Sequence, residues 1–230
     1  MTEPGPLIAS GRDGDIFEFG PGRVLRRAKS GRVIEGEARI IAYAREHGYP
    51  VPDVYEVRAG GTEIVMERID GPMMADEIAR EPWKMARHGR DLADLHDRLH
   101  VIPAPDWLPY LGGDRLVHLD LHPLNVMMTA SGPIVIDWTN AAQGDPLLDV
   151  AFTFILLTCP RVPGSNLKNI AFRPVRNVLA RAFVKRYRGR ELDMALVEAA
   201  GLKALDGNMS ADEIAAIERV GARASERVSR

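Results

Sequence analysis

Three oxygen-bearing side chains cluster in the middle of this 230-residue chain. Asp120 and Asn125 lie in His118-Leu-Asp120-Leu-His-Pro-Leu-Asn125, and Asp137 follows in Ile136-Asp137-Trp138, twelve residues after the asparagine. Hard oxygen donors of this kind suit Mg²⁺, which takes one or two carboxylates plus substrate phosphates and keeps some of its water. A carboxylate near such a centre can also accept a proton from an attacking hydroxyl. Taken singly, any of these aspartates reads as a loop cap or turn residue. The ordered spacing is what points to phosphate chemistry.

The surrounding elements must position these groups. Two strand-like pieces, Arg115 to Leu119 and Gly132 to Ile136, flank a polar loop that Pro123 stiffens. They can bring Asp137 back alongside Asp120 and Asn125. The first seventy residues read as short strands and tight turns, with glycines at 11, 14, 20, 22 and 31, which is antiparallel sheet material. One helix is expected within them, from Glu35 to His47, carrying Ile40, Ile41 and Ala44 and ended by Gly48. Asp70-Gly71-Pro72 breaks the chain as a hinge. Helices then dominate: Pro82 to His100 with a stripe of Met85, Leu92, Leu95 and Leu99, followed by Arg173 to Arg188 and Ser210 to Arg227. The fold class expected is α+β, with a strand-rich lobe over residues 1–69 and a mainly helical lobe over residues 70–230.

Composition narrows the function classes. Hydrophobic residues make up 46% and charged residues 27%, with 30 Lys and Arg against 32 Asp and Glu, which excludes disorder throughout. The single cysteine, Cys159, excludes an internal disulfide framework and a multi-thiolate zinc site, and reads as core. No secretory leader is legible at the start, and the most apolar run, Val150 to Cys159, is too short to span a membrane. A soluble cytoplasmic protein without a membrane partner is the expectation. Charge is uneven: residues 1–160 hold 16 basic and 24 acidic side chains, a balance of −8, while residues 161–230 hold 14 and 8, a balance of +6. The basic residues of the tail alternate with apolar ones at helical spacing, which favours a solvated helix face over a nucleic-acid surface.

The chain resembles the aminoglycoside phosphotransferase and choline kinase group of small-molecule kinases, which share the protein-kinase-like fold. The resemblance rests on His118, Asp120, Asn125, Ile136-Asp137-Trp138, and Gly144-Asp145-Pro146 with Asp149, and it covers residues 8–157. It implies a small β-rich N-lobe with one helix, residues 1–69, that binds the nucleotide, and a larger, mainly helical C-lobe, residues 70–230, that is catalytic and binds the acceptor. It further implies that Asp120 orients and deprotonates the acceptor hydroxyl, that Asn125 and Asp137 hold Mg²⁺ on the phosphates of ATP, and that His118, Asp145 and Asp149 brace the loops. Gly11 and Gly14 stand where a hairpin closes over the phosphates, although glycine-rich hairpin turns are common without that use. Arg26 occupies the place of the family's strand lysine, with Glu37 as its helix partner. Strand alternation sends Arg27 to the other face. Main-chain groups of Glu67 and Ile69 would hold the adenine, with Met66 flanking it. His96 reads as a hydrogen-bonded structural residue.

The function expected is an ATP-dependent phosphotransferase acting on a hydroxyl of a small molecule. The alternatives are a nucleotide-binding regulator without turnover, motivated by Arg26, and a protein kinase, although Asp-Phe-Gly and Ala-Pro-Glu signatures are missing. The basic tail makes a neutral or anionic acceptor a better expectation than a polycationic aminoglycoside. Oligomeric state is not legible in the sequence.

Overall fold

The structure is a computed structural model describing residues 3–11, 13–159, 176–207 and 209–230. It divides into two compact units, Met1–Met73 with Asn125–Thr139, and Met74–Leu124 with Asn140–Arg230.

In the first unit the glycine-punctuated opening forms the sheet its alternation predicts. Strands β1 (Leu7–Ser10), β2 (Gly14–Glu18), β3 (Arg23–Ala28), β4 (Val54–Arg58) and β5 (Glu63–Glu67) run antiparallel in the order β1-β2-β3-β5-β4. The central pair supplies the buried Leu25, Ile64 and Val65. Helix α1 (Glu35–Glu46) turns Ala38, Ile40, Ile41 and Ala44 inward, packing against β4 and β5. Glu35 and Glu37 in its first turn favour the positive end of the helix dipole. Gly48, at φ +74°, ends the helix by donating to Arg45 O.

The same unit holds a hairpin of β8 (Val126–Thr129) and β9 (Gly132–Val135). A single boundary between residues 69 and 70 therefore does not describe these units, because the first runs on to Met73 and takes back Asn125–Thr139. Backbone pairing is the cause. Met128 N donates to Pro72 O, Val135 N donates to Pro50 O (both 2.8 Å), and Met73 bridges Met127. Gly71 passes so close to this hairpin that a Cβ there would collide with the Met128 carbonyl.

The second unit is mainly helical: α2 (Met74–Arg80), α3 (Met85–Leu99), α4 (Pro146–Thr158), helical residues 176–184 (α5), α6 (Arg190–Ala204) and α7 (Ala211–Val228). Its small sheet joins β6 (Tyr110–Leu111), β10 (Ala142–Gly144) and β7 (Arg115–Val117) in the order β6-β10-β7. Leu92, Leu95 and Leu99 of the α3 stripe are buried, while Met85 is only partly so. The apolar run after residue 149 becomes α4, N-capped by Asp145 with Pro146 in its first turn. Ser210 and Glu213 form a capping box on α7. The expected helix from Arg173 to Arg188 is seen over 176–184, and residues 173–175 lie outside the described ones. The strand expected over 115–119 stops at Val117 and pairs with β10 rather than with the strand after the loop. A three-residue strand such as β10 carries too few positions to show a period in sequence. Among the described residues no helix is long and apolar enough to cross a membrane.

Candidate active site

Strand alternation decides what the two arginines of β3 do. Arg27 Nε donates to Glu63 Oε1 (2.8 Å), and its guanidinium lies over the Phe17 ring. Arg26, on the other face, places Nη2 3.0 Å from Glu37 Oε2 and 3.7 Å from Asp137 Oδ1. The Arg26 and Glu37 side chains are only 12% and 4% exposed, so this ion pair is buried. Burial pushes the Glu37 carboxyl above its ordinary range, the Arg26 charge pulls it back, and Asp137 adds to the upward push. Thr139 Oγ1, 3.1 Å from Asp137 Oδ1 and 3.3 Å from Glu37 Oε2, can give its one proton to either carboxylate.

The β8–β9 hairpin places Asn125 and Asp137 at one end of the same unit. Val126 pairs with Val135, and Ile136 N donates to Asn125 O (3.0 Å). Asn125 is buried, and Asp137 is partly exposed with its backbone at φ +63°, a left-handed conformation sparsely used by residues with a Cβ. One carboxylate and one amide oxygen are too few for a closed cage but suit Mg²⁺ shared with substrate phosphates. Among the described residues no cluster of three or more His, Cys, Asp or Glu is placed to hold a metal alone. Arg26 Nε and Glu37 Oε1 are buried without a hydrogen-bond partner among the described residues, which leaves donor capacity on Arg26 for an anionic oxygen. These groups fit a magnesium-bound nucleotide.

Asp120 belongs to the second unit, in the loop after β7. It is half-buried, with Oδ1 3.6 Å from His122 Nε2. Leu124 N donates to His122 Nδ1 (3.2 Å), so any proton on the neutral ring sits on Nε2, toward Asp120. The backbone just before Asp120 is held from α4. The fully buried Asp149 accepts from Leu119 N (2.7 Å), His118 N (3.2 Å) and His100 Nε2 (2.9 Å), and Leu119 stands at φ +62°. Burial alone would raise the Asp149 carboxyl, but the His100 hydrogen bond and the histidines around it win and hold it well below the usual carboxylate range. A second brace runs from α3. His96 Nδ1 donates to Leu92 O (2.8 Å), which makes Nε2 of the neutral ring an acceptor; Thr153 Oγ1, 3.0 Å from Nε2 and 2.9 Å from Leu121 O, can give its one proton to either. Burial lowers the His96 pKa to about 4.

The remaining expected residues are placed as follows. Gly11 N donates to Gly14 O across the β1–β2 turn (2.9 Å), and Lys29 Nζ ties the turn through Gly11 O, Ser10 Oγ and Asp15. Arg12 lies outside the described residues. At Gly14 a Cβ would stand 2.9 Å from Arg27 O, so the approach of β3 is itself a reason for glycine there. Glu67 N already donates to Asp53 O (2.8 Å), which leaves only the Glu67 carbonyl as a main-chain partner for a base. Ile69 follows the end of β5. Asp145 is half of a helix cap, accepting from Leu147 N (2.7 Å). His118 is wholly buried beside the Asp149 carboxylate.

Sequence reasoning missed Thr139, Lys29, His100, His122 and Thr153. Thr139 and His122 each lie two residues from a singled-out aspartate. Partners of the other three lie between 14 and 57 residues away, and no local pattern marks them.

Two family profiles match parts of this chain. The profile described as "Phosphotransferase enzyme family" matches residues 106–191, and the profile described as "RIO domain" matches residues 13–147. A curated relative from Methanoculleus marisnigri, a probable bifunctional tRNA threonylcarbamoyladenosine biosynthesis protein, is 29% identical over 162 residues, covering 61% of this chain and 27% of the relative. The chain therefore spans little more than a quarter of that protein's length. Among solved structures, an aminoglycoside phosphotransferase APH(4)-Ia mutant in ternary complex with ADP and hygromycin B superposes with a TM-score of 0.66 at 16% identity, covering 98% of this chain and 94% of that one. A choline/ethanolamine kinase family protein from Mesorhizobium loti gives 0.57 at 16% identity, covering 98% and 89%. At such identities these structures establish the kinase-like α+β fold.

Proposed function

We propose that this chain, which belongs to the RIO-domain family by its match over residues 13–147 and is similar to the phosphotransferase enzyme family over residues 106–191, moves the γ-phosphoryl group of ATP to a hydroxyl of a small molecule. The observation that carries this reading is the buried Arg26–Glu37 pair with the Asp137 carboxylate 3.7 Å from the same guanidinium. Such a group grips an anionic oxygen beside a hard-metal ligand, which is what a nucleotide phosphate requires.

Each residue then has a role. Mg²⁺ held by Asn125 and Asp137 would neutralise charge on the nucleotide phosphates. Arg26, kept in place by Glu37, binds a phosphate oxygen with its fork. The Glu67 carbonyl and the Ile69 amide hold the adenine. Asp120 accepts the acceptor's hydroxyl proton as that oxygen bonds to the γ-phosphorus, the bond to the bridging oxygen breaks, and ADP leaves. Asp149 and His118 keep the backbone before Asp120 in place, and Asp145 caps the helix that carries Asp149. Positioning and charge account for most of the rate, since little covalent chemistry falls to the protein. The charge balance of the tail supports a neutral or anionic acceptor.

A second reading draws on the RIO-domain match and the tRNA-biosynthesis relative: nucleotide binding in service of a macromolecular partner, as a regulator or with a protein as acceptor. Incubation with ATP, Mg²⁺ and a broad panel of hydroxyl compounds separates the two. The first reading expects a phosphorylated small molecule and ADP. Tight Mg·ATP binding without transfer to any of them would favour the second.

A further inference from the structure

Residues 150–190 contain nine Lys and Arg and no Asp or Glu. Part of that charge gathers around one cleft of the second unit. Between α3 and the segment that begins with α5 lies a cavity of about 440 Å³, lined by Arg90, Arg181, Ala182, Val184, Lys185 and Arg188. The four basic side chains belong to exposed residues.

Two features make this cleft a built arrangement. Gly89 lets the helices touch, since a Cβ there would lie 2.6 Å from Leu179 O and 2.8 Å from Ala182 Cβ. Beyond that contact, Arg186 reaches Asp94 (2.8 Å) and Asp97 (2.5 Å), and the Tyr187 hydroxyl sits 2.6 Å from Asp97 Oδ1. This clamp uses the carboxylates of Asp94 and Asp97 on α3. Arg90, Arg181, Lys185 and Arg188 make no ion pair among the described residues, and residues 160–175 contain no acid that could supply one. Like charges set together repel one another, Asp91 beside Arg90 offsets only part of that repulsion, and a multivalent anion relieves the rest.

We propose that this cleft is a second ligand site, for a small molecule carrying two or more phosphate groups. Three of the four cations are arginines, whose planar forks match phosphate oxygens in pairs. The lining contains no aromatic side chain on which a base of single-stranded nucleic acid could stack. It shares no residue with the Arg26, Glu37 and Asp137 group or with the Asp120 loop, so it is independent of the nucleotide reading.

Titration calorimetry of the full chain with tripolyphosphate and with pyrophosphate, without nucleotide or Mg²⁺, tests the site. Three proteins are compared: the parent, the surface double variant Arg181→Gln with Lys185→Gln, and Arg26→Ala. Binding is expected to fall about tenfold or more in the double variant, to persist in Arg26→Ala, and to weaken with added salt. Binding lost in Arg26→Ala but kept in the double variant would assign the phosphates to the nucleotide group and overturn the proposal. No heat at millimolar ligand, or equal binding by all three proteins, would overturn it too. A single-stranded RNA oligomer bound more tightly than tripolyphosphate, and lost in the double variant, would replace the small ligand with nucleic acid.

Discussion

Asp149→Asn tests how far the loop before Asp120 depends on one buried charge. The Asp149 carboxylate accepts three hydrogen bonds, from Leu119 N, His118 N and His100 Nε2. An asparagine whose oxygen takes the place of Oδ2 still accepts from His118 N and His100. Its amide nitrogen then faces Leu119 N–H, donor against donor. That arrangement loses a charge-assisted bond, leaves a buried N–H unsatisfied and replaces the carboxylate facing His100 with a neutral amide oxygen. Breaking a buried hydrogen-bonded pair of this kind costs about 3–5 kcal/mol. The loss is a large share of the roughly 5–15 kcal/mol that holds a typical domain together. The bond from Leu119 N helps to hold Leu119 at φ +62°, so Asp120, the next residue, should lose its aim. Urea unfolding of parent and variant measures the first effect, and kcat for phosphoryl transfer at a denaturant-free temperature where both are folded measures the second. The variant should unfold at clearly lower urea and turn over at least about tenfold more slowly. A stability change under about 1 kcal/mol would refute the reasoning, because a fully buried acceptor of three bonds cannot be that dispensable.

Asp120→Ala should abolish transfer while leaving Mg·ATP affinity nearly intact, whereas Asp137→Asn should weaken metal and nucleotide together; calorimetry beside steady-state assays reads both, and substantial transfer by Asp120→Ala would remove it from the base role. Arg26→Lys should be tolerated better than Arg26→Ala, since alanine strands the buried Glu37 at a cost of about 3–5 kcal/mol; equal loss in nucleotide affinity would mean that the fork itself is needed. Acid should destabilise the protein through His96. Its pKa is lowered from 6.5 to about 4 on folding, so the unfolded chain binds the extra proton in that window, and stability is complete above pH 6.5 and is lost as pH falls toward 4. The full shift corresponds to about 3 kcal/mol, with Glu37 acting in the opposite sense above its unfolded value. His96→Gln should flatten this slope in denaturation followed across pH, and an unchanged slope would place the acid sensitivity elsewhere.

Local chemistry alone determined a good deal of this protein. The sheet-forming start follows from its alternation and glycines, and α1 from its apolar spacing and the Gly48 stop. The spacing of Asp120, Asn125 and Asp137 is also a property of the chain as written, as is the fact that Arg26 and Arg27 face opposite ways, whereas which of the two meets Glu37 was decided by the fold. What tertiary structure decided lies in contacts between distant residues. Nothing near Asp149 in sequence says that His118 and Leu119, about thirty positions earlier, will share its carboxylate. Nor does any local signal place Thr139 on Glu37, 102 residues away, or commit the Glu67 amide to Asp53. The hairpin of β8 and β9 pairs through the backbone of Pro50, Pro72 and Met73, and hydrogen-bonding groups of a main chain are the same at every residue, so no local pattern announces it. Sequence pattern records what a side chain prefers. It is silent on which unpaired carbonyl or buried donor, far along the chain, that preference will have to satisfy.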